Sequence, residues 1–234
     1  MKFRKLLLYT QKIEENLTFY SEILGIEPLE ITPISFRLQL GWTELVFEKS
    51  IISPIYHFCF LIPSNKLEEA LKWMQNKTPI LDTAPDKKTV HFENWNADSF
   101  YFRDGSGNIL EFIVHHELKN ETAEKFDLKQ VLGINEMGLP TRNIKEVDEK
   151  LSQKIGSAFW KGDYESFGTH GTPEGKFLLP NVAIKKTWFP TDLPTHPEPF
   201  IAWMEHQNQL FEVEFDVENL DINLIENGGI PKNP

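Results

Sequence analysis

SFYFRDGSGNILEFIVHH, residues 99–116, is the stretch on which the fold turns. Two β-rich runs, 101–103 and 109–114, are joined by Asp104-Gly-Ser-Gly-Asn108, whose glycines permit the positive φ angles of a tight reversal. The segment is a hairpin. Side chains alternate along a strand with period two, so Leu110, Phe112 and Val114 share one face and Ile109, Glu111 and Ile113 the other. Glu111 stands where a hydrophobe is expected. Desolvating a lone carboxylate costs several kcal/mol or raises its pKa, so a cation, a metal or a proton must lie close by.

Working outward, a short apolar strand, a polar turn and an amphipathic helix recur three times. The first copy has a strand at 5–10, a helix at 13–24 closed by Gly25, and strands within 31–48, where 36–40 and 43–48 pair across Gly41-Trp42. In the second, a strand at 55–62 and a helix at 66–76 are followed by strands at 89–95, 99–103 and 109–115. Both copies read βαβββ. The third opens with a strand at 134–141 and a helix at 145–155 stopped by Gly156. Strands are expected at 177–179, 182–188, 200–205 and 210–215, separated by turns and prolines. Residues 1–118 are thus expected to hold the paired units of a main cup, 119–129 a charged connection, 130–218 a third, atypical βαβ-type unit, and 219–234 a weakly docked tail.

The chain has 234 residues, and its 40% hydrophobic content suffices for a core. Lys+Arg 24 against Asp+Glu 35 gives a net charge of -11 with no basic stripe, which disfavours nucleic acid as a partner. Cys59 is the only cysteine and lies in an apolar run, where it reads as a core residue in a reducing compartment. The apolar run 6–9 is too short for a signal-peptide core, and no stretch approaches the ~20 apolar residues of a membrane span. A cytoplasmic protein with no membrane partner is expected.

Tandem βαβββ units closed by a D-G-x-G-N-x-x-E-hydrophobe hairpin resemble the vicinal oxygen chelate superfamily, which includes glyoxalase I, extradiol ring-cleaving dioxygenases, and the fosfomycin and bleomycin resistance proteins. The likeness is strongest over residues 55–116, weaker over 5–48 and detectable over 134–156. It implies an α+β fold in which βαβββ units form curved mixed sheets around a cup, with helices on the outer face. In that family, metal ligands come from the first and last strands of each unit. The matching residues here are His57 and Glu111 in the second unit, but Lys5 and Val46 in the first.

Two readings follow. In one, His57 and Glu111 hold a divalent metal (Fe, Mn, Zn or Ni), His91 is the third ligand or an acid/base, and Tyr101 acts on a bound small molecule. Glu44 or Glu48 reaches inward instead if the register differs by two. The protein is then a metal-dependent enzyme on a vicinal-oxygen substrate, of the ring-cleaving dioxygenase or lyase/isomerase type. In the other, Lys5 takes the place of the metal and pairs with Glu111 or Glu48, leaving a metal-free protein that binds or sequesters a small ligand. Glu136 falls at the first-strand ligand position of the third unit, where a second metal site is not expected for want of partners. His115 and His116 end a strand, and one of them is expected to face solvent. The 168–175 loop lacks phosphate-loop spacing, and Ser106 belongs to the hairpin turn. The third unit completes its sheet either within the chain or across a homodimer.

Overall fold

A computed structural model describes residues 1–225. The first unit comprises β1 (Lys2–Thr10), α1 (Ile13–Thr18) continued by π-helical turns over Phe19–Leu24, then β2 (Glu30–Ile31), β3 (Ser35–Leu40) and β4 (Thr43–Lys49). The second comprises β5 (His57–Leu61), α2 (Leu67–Gln75), β6 (Thr89–Phe92), β7 (Ala97–Arg103) and β8 (Ile109–His115). The third is a full βαβββ unit, with β9 (Gly133–Gly138), α3 (Ile144–Ile155), β10 (Phe159–Gly162), β11 (Phe167–Thr172) and β12 (Gly175–Pro180). A last group of strands follows: β13 (Phe200–His206), β14 (Gln209–Phe215) and β15 (Leu220–Leu224).

The β7–β8 hairpin forms as its sequence requires. Asp104 Oδ1 accepts the backbone N–H groups of Ser106, Gly107 and Asn108, each at 3.0 Å, and Gly107 takes φ +91°. The turn is also docked. Asn16 Oδ1 accepts a second bond from the Ser106 N–H, and a Cβ at Gly105 would lie 2.2 Å from the Glu15 carbonyl oxygen. The first unit's helix therefore rests directly on the second unit's turn.

The strands form two sheets, in the orders β15-β14-β13-β1-β4-β3-β2 and β10-β11-β12-β9-β5-β8-β7-β6. Within each of the three helical units, the first strand pairs parallel with the last, as β1 with β4, β5 with β8 and β9 with β12. This leaves one edge of each first strand open. Antiparallel pairing fills those edges across units, β5 with β9 and β1 with β13. The cup expected within residues 1–118 is therefore corrected, because units one and two lie in different sheets. Unit two shares its sheet with unit three, inside the chain.

Two further expectations change. Residues 182–188 form a turn at 182–184 and an isolated bridge from Thr187 to Pro194 instead of a strand, in a segment with prolines 190, 194, 197 and 199. Residues 220–224, placed in the tail by sequence, pair with β14 from Phe211↔Leu224 to Phe215↔Leu220. Leu220 and Ile222 are buried there, which is what anchors the strand. Residues 226–234 of the expected tail lie outside the described residues.

One face of each sheet faces a shared apolar core. Leu6, Leu8, Phe36 and Phe47 from the first sheet join Phe58, Phe60, Leu110, Phe112 and Phe177 from the second. The helices cover the same core with Tyr20, Ala70, Met74, Ile144 and Leu151. Burying an apolar side chain of this size contributes about 1.5–3 kcal/mol relative to leaving it in water, so the shared core ties the sheets together. The opposite face of the second sheet is left to hold polar groups.

Candidate metal centre

Strand register sets a row of side chains across that opposite face. Tyr101 on β7 lies across from Glu111 on β8, Glu111 from Cys59 on β5, Cys59 from Glu136 on β9, and Glu136 from Lys176 on β12. His57 shares Cys59's face, two residues earlier. Single ligand atoms of His57, Glu111 and Glu136 all lie within 4.8 Å of one another. The three are buried, at 5%, 2% and 1% exposure. Lys176 and His115 flank them with no exposed surface.

His57 reports what the cluster lacks. Its Nδ1 lies 3.0 Å from the Ile109 carbonyl oxygen, which can only accept, so Nδ1 carries the proton. The ring is held neutral, because burial lowers its pKa against the opposing pull of that carbonyl and of Glu136. Nε2 therefore presents a bare lone pair, 3.5 Å from Glu111 Oε2. With Glu111 ionised two acceptors face each other, and with Glu111 protonated its O–H faces the lone pair. Glu111 Oε1 is buried with no hydrogen-bond partner. Burial, then the Glu136 charge, raises the Glu111 pKa well above the carboxylate range, while Ser99, Tyr101 and Lys176 act the other way.

Lys176 supplies one cation. Its Nζ lies 3.1 Å from Glu136 Oε1, an ion pair not aligned as a hydrogen bond, and 3.1 Å from His115 Nε2. The ammonium also sits 5.1 Å from the Trp160 ring and 5.5 Å from that of Trp95. Two carboxylates against one ammonium leave one negative charge uncompensated. A proton on Glu111 or a divalent cation among His57, Glu111 and Glu136 meets that need, and the donor set of one imidazole and two carboxylates suits the cation. The residues fit a metal.

The cluster forms the floor of a cavity of about 670 Å³. Tyr101, Phe92, Trp95, Trp188 and Phe189 contribute its aromatic walls. Trp188, from the proline-rich segment, stands 5.0 Å from the His57 ring and packs so close to Gly138 that a Cβ there would fall 2.7 Å from the indole. Burial, then Glu111, raises the Tyr101 pKa well above the phenol range, so Tyr101 remains a hydroxyl.

His57, Glu111 and Tyr101 thus meet where the sequence reading placed them, and His91 does not join the three donors. On β6, Val90 and Phe92 pair with Ser99 and Ala97, on Tyr101's side of the sheet, whereas His91 pairs with Asp98 on the other. Its Nδ1 lies 2.9 Å from Asp98 Oδ1, and its side chain is 50% exposed at the cavity rim. Glu93, expected on the same strand, begins a short 3-10 turn. Lys5 belongs to the other sheet, where it pairs with Glu44 at 3.3 Å and lies over the Trp203 ring. Lys5 therefore pairs with neither Glu111 nor Glu48, and the lysine beside the cluster is Lys176. Glu136 was visible as a third-unit ligand position, but its convergence with the second unit depends on sheet pairing. Lys176 was missed, its signal being a lysine at the head of the apolar run Phe177–Leu179. Of the two histidines at the end of β8, His116 is the one that faces solvent, and His115 is fully buried.

No family model and no curated protein sequence matches the chain. Solved structures do. A protein of Bacillus subtilis subsp. subtilis str. 168, named as a "putative dioxygenase", matches at 12% identity and a TM-score of 0.60, over 98% of this chain and 86% of its own. The V278E glyoxalase I mutant from Zea mays matches at 11% identity and a TM-score of 0.50, over 76% of this chain and 67% of its own. Paired units, helices on the outer face and a polar row inside the curved sheet agree with that likeness: the chain has the fold of the vicinal oxygen chelate superfamily.

Proposed function

We propose that this protein is a divalent-metal-dependent enzyme acting on a small molecule with two neighbouring oxygen atoms, of the ring-cleaving dioxygenase or lyase/isomerase type. The observation that carries this reading is the convergence of one ligand atom each from buried His57, Glu111 and Glu136, all within 4.8 Å of one another, on the floor of a cavity. His57, Glu111 and Glu136 would hold the ion. When bound, it supplies Lewis-acid polarisation of the substrate oxygens.

The remaining work falls to the chain's own side chains. Trp188 and Phe189 wall the cavity with apolar surface, which excludes water and suits a planar substrate. Tyr101 keeps its proton, which supports a role as hydrogen-bond donor to an oxygen that gains charge. His91, at the rim and paired with Asp98, is an acid/base candidate for groups entering the cavity. Oxygen uptake separates ring cleavage from lyase or isomerase chemistry.

A metal-free ligand-binding protein is the second reading, favoured by Lys176, which already neutralises one carboxylate. Elemental analysis after reconstitution with divalent metals tests the choice. Near-stoichiometric metal in the wild type, lost in His57→Ala, is expected. Less than about a tenth of an equivalent would sink the enzyme reading.

A further inference from the structure

Each helical unit places its last strand parallel to its first, so a cup built from two units has four inward positions around its floor. In this chain they carry His57 on β5, Glu111 on β8, Glu136 on β9 and Lys176 on β12. Three are donors to a cation and the fourth is itself a cation. Lys176 is not a loose surface lysine that happens to reach inward. It is fully buried, its ammonium 3.1 Å from Glu136 and 3.1 Å from His115 Nε2, with the Trp160 and Trp95 rings beside it.

We propose that Lys176 is a positioning residue that acts as a resident competitor of the metal, holding Glu136 in place and setting how tightly the site binds a divalent ion. The inference rests on the metal-dependent reading above. Its physical basis is charge. Without a metal, the ammonium offsets one of two carboxylates buried within 4.8 Å of each other, and so keeps the empty cup folded. With a divalent ion present, the same ammonium repels it across the width of one carboxylate, and Glu136 must divide its oxygens between two cations. A neutral residue at position 176 removes the repulsion and frees Glu136.

Three further features agree with a fixed cation. The Trp160 and Trp95 rings allow the ammonium little movement, and His115 accepts one of its protons. Lys176 does not line the cavity, so it reaches any substrate only through Glu136. The bound site, with two carboxylates, one ammonium and a divalent ion, carries a net charge of +1 by formal counting, which suits a substrate bound through an ionised oxygen.

The test is calorimetric titration of the full-length protein with zinc and with manganese, in the wild type, Lys176→Met and Lys176→Arg, alongside thermal unfolding with and without metal. Lys176→Met is expected to bind metal tighter by about tenfold or more, to melt lower than the wild type without metal, and to gain more from adding it. Lys176→Arg, which retains the charge, is expected to keep wild-type affinity. Unchanged or weaker affinity in a folded Lys176→Met protein overturns the proposal, as does an arginine variant that behaves like methionine. If Lys176→Met fails to fold, the arginine variant and Lys176→Gln carry the same comparison. Absence of metal binding in the wild type and every variant would instead remove the metal-dependent reading itself.

Discussion

His115 lies 3.1 Å from the Lys176 ammonium with no exposed surface, and burial, reinforced by that charge, lowers its pKa to about 2. In the unfolded chain the same imidazole titrates near ~6.5. Above that pH both states are neutral and the group has no effect on stability. As pH falls below it, the unfolded chain takes up a proton that the folded protein refuses, so stability drops until the folded-state pKa is reached. Between pH 7.5 and 5.5 this one residue should cost about 1.4 kcal/mol. Other groups titrate as well, so the useful quantity is the difference from His115→Gln, which keeps an acceptor for Lys176. Urea denaturation of both proteins at the two pH values is expected to show a smaller acid loss in the variant, and equal losses would refute the assignment. At this scale the sequence was informative wherever a local rule applied. Glu111 on an apolar strand face demanded a partner, and His57 was named only by the resemblance, as the residue matching a first-strand ligand position. Lys176 and His115 were hidden because a lysine beginning a strand and a histidine ending one are ordinary at a sheet rim. Only the neighbouring strands bury them.

Helix α3 is fastened to the second sheet by a buried polar cluster on the side away from the cavity. Asp148 Oδ1 lies 2.6 Å from His170 Nδ1, its Oδ2 accepts the Tyr164 hydroxyl at 2.7 Å, and His170 Nε2 lies 2.6 Å from Ser157 Oγ. The order of serine, histidine and aspartate matches that of a hydrolytic triad, but His170 shares its sheet face with Phe177 in the apolar core. It works as a clamp. Asp148→Ala would strand the buried His170 N–H and release the exposed Tyr164 hydroxyl to water, a loss expected to cost about 1–3 kcal/mol of stability. Metal affinity should not change, since the cluster and the cavity lie on opposite faces, and a parallel loss of metal binding would show that they are coupled. Helix and hairpin positions were legible because period and turn chemistry are local, as in the Gly156 stop of α3. His91 stays outside the set of three donors for a related reason. Its face is set by pairing with Asp98, and β6 gives way to a 3-10 turn before Glu93 can continue the alternation.

At the scale of the whole molecule, the sequence showed repeated units and not which unit pairs with which. Each unit's first strand offers an open edge, and period-two patterning is blind to the strand that will fill it. Pairing β5 with β9 is what brings Glu136 and Lys176 to His57 and Glu111, so the candidate site belongs to two units and to neither alone. Folding should follow the same division. A fragment of residues 1–118 contains both βαβββ units of the original expectation, yet it lacks β13 to pair with β1 and β9 to pair with β5. Its apolar core would also lose Met137, Phe177, Phe200 and Met204, which lie beyond residue 118 and are buried in the shared core. A fragment of residues 55–180 keeps the whole second sheet, with all four inward positions of the cup. Circular dichroism and chemical denaturation should therefore show weaker or absent cooperativity in 1–118 than in 55–180. A sharp, native-like transition in 1–118 alone would mean that its two units can close a cup by themselves, and that the cross-unit pairing is not what holds the fold together.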